Sequence, residues 1–372
     1  MTIAVDTRCL GAGRNNAGSF FDAHLLTELA HAYPADRFLW CSDKPLDASV
    51  ILPANVTTFI ISPEIKNALH LQYWFNYKLP ALLRRQKTDA FLCTGGISSL
   101  RTRIPQCLVV DDTAVLHAPA FTSATNSRYR KKNMAIFLQK AASVATVSAF
   151  SRSLIAGDYK MNEEDIGLLP VEPEDVFVPV SFEEREKIKD RYSDGKEYFL
   201  APCVNNAGNN LLNLLKAFSF FKRRQKSNML LLITGDPGDA FINDLKTYKF
   251  RDEVRVLADP GKKEMALLTA AAYALVYPVL YADSALVPAR AMQCGVPVIT
   301  SNTGALPGYC ADAALYVNPG SFEDIAQKIM LLFKDEEQAK ELAKKGAARV
   351  RANGKSNVAA FLRAWIKQAV NG

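Results

Sequence analysis

The sequence has no uncharged apolar run near the length of about 18 residues that a membrane span requires, so nothing in it is expected to cross a bilayer. Its seven cysteines (Cys9, Cys41, Cys93, Cys107, Cys203, Cys294, Cys310) are scattered, odd in number and without a CxxC pair. That argues against a disulfide framework or a zinc site and points to a reducing compartment. The four histidines, His24, His31, His70 and His117, show no metal-ligand spacing, so neither a metal nor another cofactor is expected. Low-complexity sequence is absent. The opening run Thr2-Ile3-Ala4-Val5-Asp6 reads as a strand rather than a leader, which makes a cytoplasmic location the expectation. Charge of one sign is also scarce: the net value is +7. Basic clusters such as Arg84-Arg85-Gln86-Lys87 and Lys222-Arg223-Arg224 read as solvated helix ends, so no nucleic-acid partner is expected. An anionic membrane surface could attract the same clusters, with peripheral contact at the inner membrane surface as the most this allows.

What is present is ample core-forming material. The chain has 372 residues, 49% of them hydrophobic, which is more than one core usually organises. Short β-branched runs alternate with helical periodicity, as in parallel sheets covered by helices. Strands are expected near 2–6, 37–42, 57–61, 89–93, 106–110 and 143–147, with helices near 18–32, 69–86, 127–141 and 149–157. The proline-bearing stretch 169–182 lacks periodicity and reads as a linker. The pattern then restarts, with strands near 198–201, 229–234, 254–257, 273–277, 297–300 and 314–317. Helices near 210–223, 238–248, 262–271, 285–294, 321–333, 336–350 and 356–369 complete it. Phe361, Leu362, Trp365, Ile366 and Ala369 stripe the last helix, which is expected to return to the first domain. The expected fold is α/β, with two Rossmann-like parallel-sheet domains, 1–175 and 176–355, facing a cleft, and residues 356–372 crossing back. The aromatic run Leu69 to Pro80 could lie on a membrane interface, but a core-facing helix is the better reading.

Ligands of open α/β sheets sit beyond the carboxyl ends of strands, so the loops after strands are the candidates. In the first domain these carry Gly18, ahead of the first helix, then Asp111, Asp112 and His117. Asp112 is the best-placed general base, with loop capping as its alternative role. In the second domain Ser284 or Ala285 should start a helix with Asp283 or Ser284 as its cap, and Asn302 to Gly308 should form the loop after the next strand.

Several runs together resemble the retaining GT-B glycosyltransferases of family 4. They are Val147-Ser148-Ala149-Phe150-Ser151, Leu211 to Phe218, Leu231-Leu232-Ile233-Thr234-Gly235, Ala291 to Asn302 and Asp312 to Pro319. The resemblance implies a nucleotide-sugar donor in the second domain, an acceptor in the first, and sugar transfer without a metal. It implies donor-side roles for Asn210, Gly235, Ser284, Ala285, Leu286, Arg290, Thr303 and Gly304. The family meets its diphosphate with an Arg and a Lys, where this chain has Gly208 and Asn209, and uses two glutamates where it has Ala282 and Arg290. Of the family's His-Asp pair only the second member is kept, in Asp111-Asp112. Such losses predict very slow transfer, because the leaving diphosphate needs preorganised positive charge. The expected role is that of a nucleotide-sugar-binding or partner subunit, working beside a homologous glycosyltransferase in polysaccharide assembly. The alternative is an active transferase that holds phosphate with Arg290 or with Lys262 and Lys263.

Overall fold

The computed structural model describes residues 1–12, 20–48, 50–118, 124–203, 207–258, 260–354 and 357–371. Its contacts divide the chain into two units: Met1–Pro170 with Ser356–Gly372, and Val171–Lys355.

In the first unit, β1 (Thr2–Asp6) leads to α1 (Ala23–Ala32), then β2 (Arg37–Ser42) and β3 (Val56–Ile60). Next come α2 (Ala68–Tyr73), a π-helical turn (Trp74–Lys78) and α3 (Leu79–Arg85), then β4 (Ala90–Cys93) and β5 (Gln106–Val110). They are followed by α4 (Ala114–His117), α5 (Ala124–Lys140), β6 (Ser143–Thr146), α6 (Ala149–Tyr159) and β7 (Ile166–Leu168). The seven strands pair in parallel in the order β3-β2-β1-β4-β5-β6-β7. Every residue of β4 and β5 is buried, as strands covered on both faces must be, whereas the edge strand β3 exposes Thr57, Thr58 and Ile60. The first helix begins at Ala23 rather than near residue 18, because the Asp22 carboxylate accepts the Leu25 N–H at 2.9 Å and caps it there. Gly18 lies outside the described residues.

The aromatic helix belongs to the core. Leu71, Trp74, Phe75 and Leu79 are fully buried, and the Trp74 indole donates to the Ile61 carbonyl at 2.9 Å. Leu69, Tyr73 and Tyr77 stay on its outer face. The Arg101 guanidinium covers the Tyr77 ring at 4.2 Å.

The second unit opens with α7 (Phe182–Ser193), which periodicity does not suggest, since among its twelve residues only Ile188, Lys189 and Ser193 are buried. It is fixed by a capping box in which Ser181 and Glu184 exchange hydrogen bonds. Then follow β8 (Tyr198–Pro202), α8 (Leu211–Gln225), β9 (Leu230–Thr234), α9 (Asp239–Thr247), β10 (Val254–Leu257) and α10 (Lys262–Ala271). The unit continues through β11 (Ala274–Tyr277), α11 (Leu286–Gln293), β12 (Val298–Ser301), α12 (Leu306–Cys310), β13 (Leu315–Val317), α13 (Phe322–Lys334) and α14 (Glu336–Asn353). Its six strands are parallel, in the order β10-β9-β8-β11-β12-β13.

The last helix, α15 (Val358–Asn371), returns to the first unit. Its buried face of Val358, Ala359, Leu362, Trp365 and Ile366 joins the core formed by Ile3, Val5, Leu26 and Leu29. Arg363 also pairs with the buried Asp36, whose other partner is the terminal amine of Met1 at 2.6 Å.

Candidate functional site

The order of the second sheet reverses between β8 and β11, the place where open parallel sheets bind ligands. The loops there are bound tightly to one another. The Leu280 N–H donates to the Gly208 carbonyl at 2.8 Å, and the Ser301 hydroxyl to the Val279 carbonyl at 2.6 Å. The Asn210 amide donates to the carbonyls of Pro278 (2.8 Å) and Pro319 (2.7 Å), joining loops that follow three different strands. Two glycines permit this approach. A Cβ on Gly235, at φ +100°, would lie 2.2 Å from the Cys203 oxygen, and one on Gly304, at φ +61°, would lie 2.1 Å from the Ala282 oxygen. Asn210, Gly235 and Gly304 thus shape the edge, and Thr303 adds a hydroxyl 3.5 Å from the Val279 carbonyl. The helix α11 starts at Leu286 with Ala285 as its cap residue; the Ser284 hydroxyl, one position further out, accepts the Leu286 N–H at 3.2 Å.

The two positions where the resemblance calls for glutamates have taken other roles. Ala282 is buried in a small apolar cluster with Val279, Ala285 and Leu306, flanked by Tyr277 and Tyr309. Arg290 is engaged by Glu174: its Nε lies 2.8 Å from Oε2 and its Nη2 2.5 Å from Oε1, while its guanidinium lies over the Phe177 ring at 5.0 Å. Lys262 meets the same Oε1 at 3.1 Å. Burial pushes the Glu174 carboxyl up, but Arg290 and then Lys262 outweigh it and hold it at about 2. Arg290 and Lys262, both nominated as phosphate holders, are therefore together, with an internal carboxylate between them.

The order of the first sheet reverses between β1 and β4, and a pocket of about 380 Å³ lies there, lined by residues that follow β1, β4 and β5. Its charged groups are Asp6, Arg8, Asp111 and Arg130. Arg8 is held in a bidentate pair with the buried Asp6, at 2.8 and 2.7 Å, and its guanidinium packs 4.5 Å from the Phe75 ring centre. The Thr94 hydroxyl donates to the Asp6 carbonyl at 2.7 Å. Cys9 also lines the pocket, and burial, followed by the charges of Asp6 and Asp111, pushes its thiol up to about 12.

Of the sequence candidates, Asp111 reaches this pocket. Asp112 is held otherwise, with Oδ1 accepting the Ala114 N–H and Oδ2 accepting from Arg130, both at 3.1 Å. That is the loop-capping arrangement. His117 lies 2.9 Å from the Asp158 carboxylate on α6. Asp6, Arg8 and Arg130 escaped the sequence reading; the available signal was position, since Asp6 ends the first strand and Arg8 follows it directly. Among the described residues no group of His, Cys, Asp and Glu could hold a metal ion, and no helix is long and apolar enough to cross a membrane.

The family described as glycosyl transferases group 1 matches residues 184–349, inside the second unit. The fold is that of WaaG, a glycosyltransferase involved in lipopolysaccharide biosynthesis, with a TM-score of 0.77 at 14% identity over 98% of this chain and 99% of that one. It is equally that of Anabaena HepE in complex with UDP-glucose, with a TM-score of 0.76 at 16% identity over 100% of this chain and 99% of that one. The fold is GT-B, and the match to the glycosyl transferases of group 1 lies within its second unit.

The chain is 27% identical over 229 residues to the O-antigen chain mannosyltransferase B of Escherichia coli, covering 60% of each chain. It is 26% identical over 178 residues to the O-antigen chain mannosyltransferase RfbU of Salmonella typhimurium, covering 47% of this chain and 46% of the relative. The matches thus span about 60% and 46% of the curated relatives' lengths.

Proposed function

We propose that this chain is a member of the group 1 glycosyl transferases that binds a nucleotide sugar at the carboxyl edge of the second unit and a saccharide acceptor in the first-unit pocket, in the assembly of an O-antigen-like glycan. We propose further that transfer by the retaining, metal-free route is very slow, so that the chain serves as a binding or partner subunit beside a homologous glycosyltransferase. The donor side is supported by the family match, by the glycine-shaped loops after β8, β9, β11 and β12, and by a structural relative that holds UDP-glucose. The acceptor side is supported by the pocket's chemistry. Two carboxylates and two guanidiniums present fixed acceptors and donors without a formal charge excess, which suits the hydroxyls of a sugar ring better than an anion.

The observation that carries the impairment is the fate of two positions. Ala282 contributes a methyl group to an apolar cluster, and Arg290 is committed to Glu174, so neither delivers a carboxylate to a donor. Losing one preorganised group from such a site costs about 10²–10³ in rate, and here the two cations are replaced as well. The test is calorimetric titration with UDP, GDP, ADP and their sugar conjugates, coupled to an assay for release of the nucleoside diphosphate. Binding with negligible release supports the proposal. The second reading, an active transferase with altered donor contacts, draws on the naming of both curated relatives as mannosyltransferases. Release at an ordinary enzymatic rate in the same assay establishes it.

A further inference from the structure

We infer that Arg290 and Lys262 form a phosphoryl-anion site in the second unit that is held closed by an internal ligand, the Glu174 carboxylate. One oxygen, Oε1, lies 2.5 Å from Arg290 Nη2 and 3.1 Å from Lys262 Nζ, while Oε2 lies 2.8 Å from Arg290 Nε. A guanidinium fork with an ammonium point charge beside it is the donor set that grips a phosphoryl group, and here a carboxylate fills it. The guanidinium and the ammonium offer two positive charges to a ligand, to which the Glu174 carboxylate brings one negative charge. The guanidinium is preorganised, lying over the Phe177 ring, so a replacement ligand would not have to order it. Lys262 is 34% exposed, compared with 11% for Glu174, which gives an incoming anion its approach.

Glu174 is also well placed to act as a stop. The Gln293 amide donates to its carbonyl at 3.2 Å, and Pro173 before it and Phe177 after it are buried, so the segment is pinned on both sides of the carboxylate. Because Arg290 and Lys262 keep Glu174 ionised down to about pH 2, ordinary changes of pH do not open the site. Displacement by a competing anion does. This inference goes beyond the proposed sugar-binding role, since it concerns what controls access to a charged subsite whether or not transfer occurs.

The test uses the full chain and titrates inorganic pyrophosphate, UDP and GDP separately by calorimetry. Glu174→Gln is expected to tighten pyrophosphate or nucleotide binding at least tenfold. The gain should disappear when Arg290→Gln is added, and Asp312→Asn, which removes the carboxylate paired with Lys345 at 3.2 Å, should not produce it. A gain confined to pyrophosphate identifies a free anion as the ligand, and a gain for UDP or GDP identifies a nucleotide phosphate. Should Glu174→Gln fail to fold, Glu174→Asp, which shortens the reach of the carboxylate, should give a smaller gain in the same direction. No gain in a folded variant, or a gain that survives Arg290→Gln, overturns the inference. Wild-type binding of a nucleotide sugar with no gain on Glu174→Gln removes this inference and leaves the sugar-binding proposal standing; a pyrophosphate gain with no nucleotide-sugar binding does the reverse.

Discussion

Replacing Glu174 by Gln should destabilise the second unit at neutral pH, and by an amount that fades in acid. The carboxyl is depressed from its ordinary 4.5 to about 2, which at about 1.4 kcal/mol for each tenfold change in proton affinity corresponds to about 3 kcal/mol. A depressed carboxyl contributes stability that is fully present above its unfolded value and is lost as pH falls through its folded one. The wild-type advantage should therefore be complete at pH 7, about half at pH 3 and nearly gone below pH 2. With a urea slope of about 2 kcal/mol per molar, the neutral-pH gap is a midpoint shift of about 1.5 M. The assay can isolate the unit, because Trp40, Trp74 and Trp365 all belong to the first unit. Tryptophan fluorescence then follows the first unit, while far-UV circular dichroism follows both. A gap that stays constant from pH 7 to pH 2.5, or no gap at pH 7, would refute the reasoning.

Three further outcomes are expected. Gly304→Ala drives a Cβ to 2.1 Å from the Ala282 oxygen at φ +61°, and should lower second-unit stability by about 2–4 kcal/mol and weaken nucleotide binding at least tenfold, read by circular dichroism and calorimetry. Asp111→Asn should weaken saccharide binding to the first-unit pocket at least tenfold in saturation-transfer NMR, whereas Asp112→Asn, which loosens the Arg130 and Ala114 contacts, should mainly lower stability, by about 1 kcal/mol. Restoring the family pattern with Ala282→Glu and Arg290→Glu should fail to improve nucleotide binding, since it sets one carboxylate in an apolar cluster and another beside Glu174. Adding Glu174→Gln should recover part of the stability lost to the two facing carboxylates, as measured by urea denaturation followed by circular dichroism.

The sheets were readable because their strands are runs of buried residues, such as Cys107 to Val110, set between turns and helical periodicity. What escaped were elements without an apolar rhythm. The helix α7 buries only Ile188, Lys189 and Ser193, and its one sequence signal is the spacing of Ser181 and Glu184. The strand β7 has three residues and the short helices α4 and α12 have four and five, too few for a pattern. On the donor side, the loops and their glycines were legible through the family resemblance, and Arg290 and Lys262 were singled out as cations. Glu174 was not, because it sits in a stretch with no periodicity and acquires its role only when the chain folds it against α10 and α11. In the first-unit pocket, the pairing of Asp6 with Arg8 across two positions has no sequence signature, because it depends on Phe75 packing against the guanidinium and Thr94 bonding to the Asp6 carbonyl.

The proposed role is that of a GT-B fold kept without its transfer chemistry. It is tested most directly by titrating the full chain with UDP-, GDP- and ADP-sugars while following release of the nucleoside diphosphate. Binding of at least one of them is expected, with release far below the range of about 1 to 10³ per second typical of enzymes. Release within that range would contradict it.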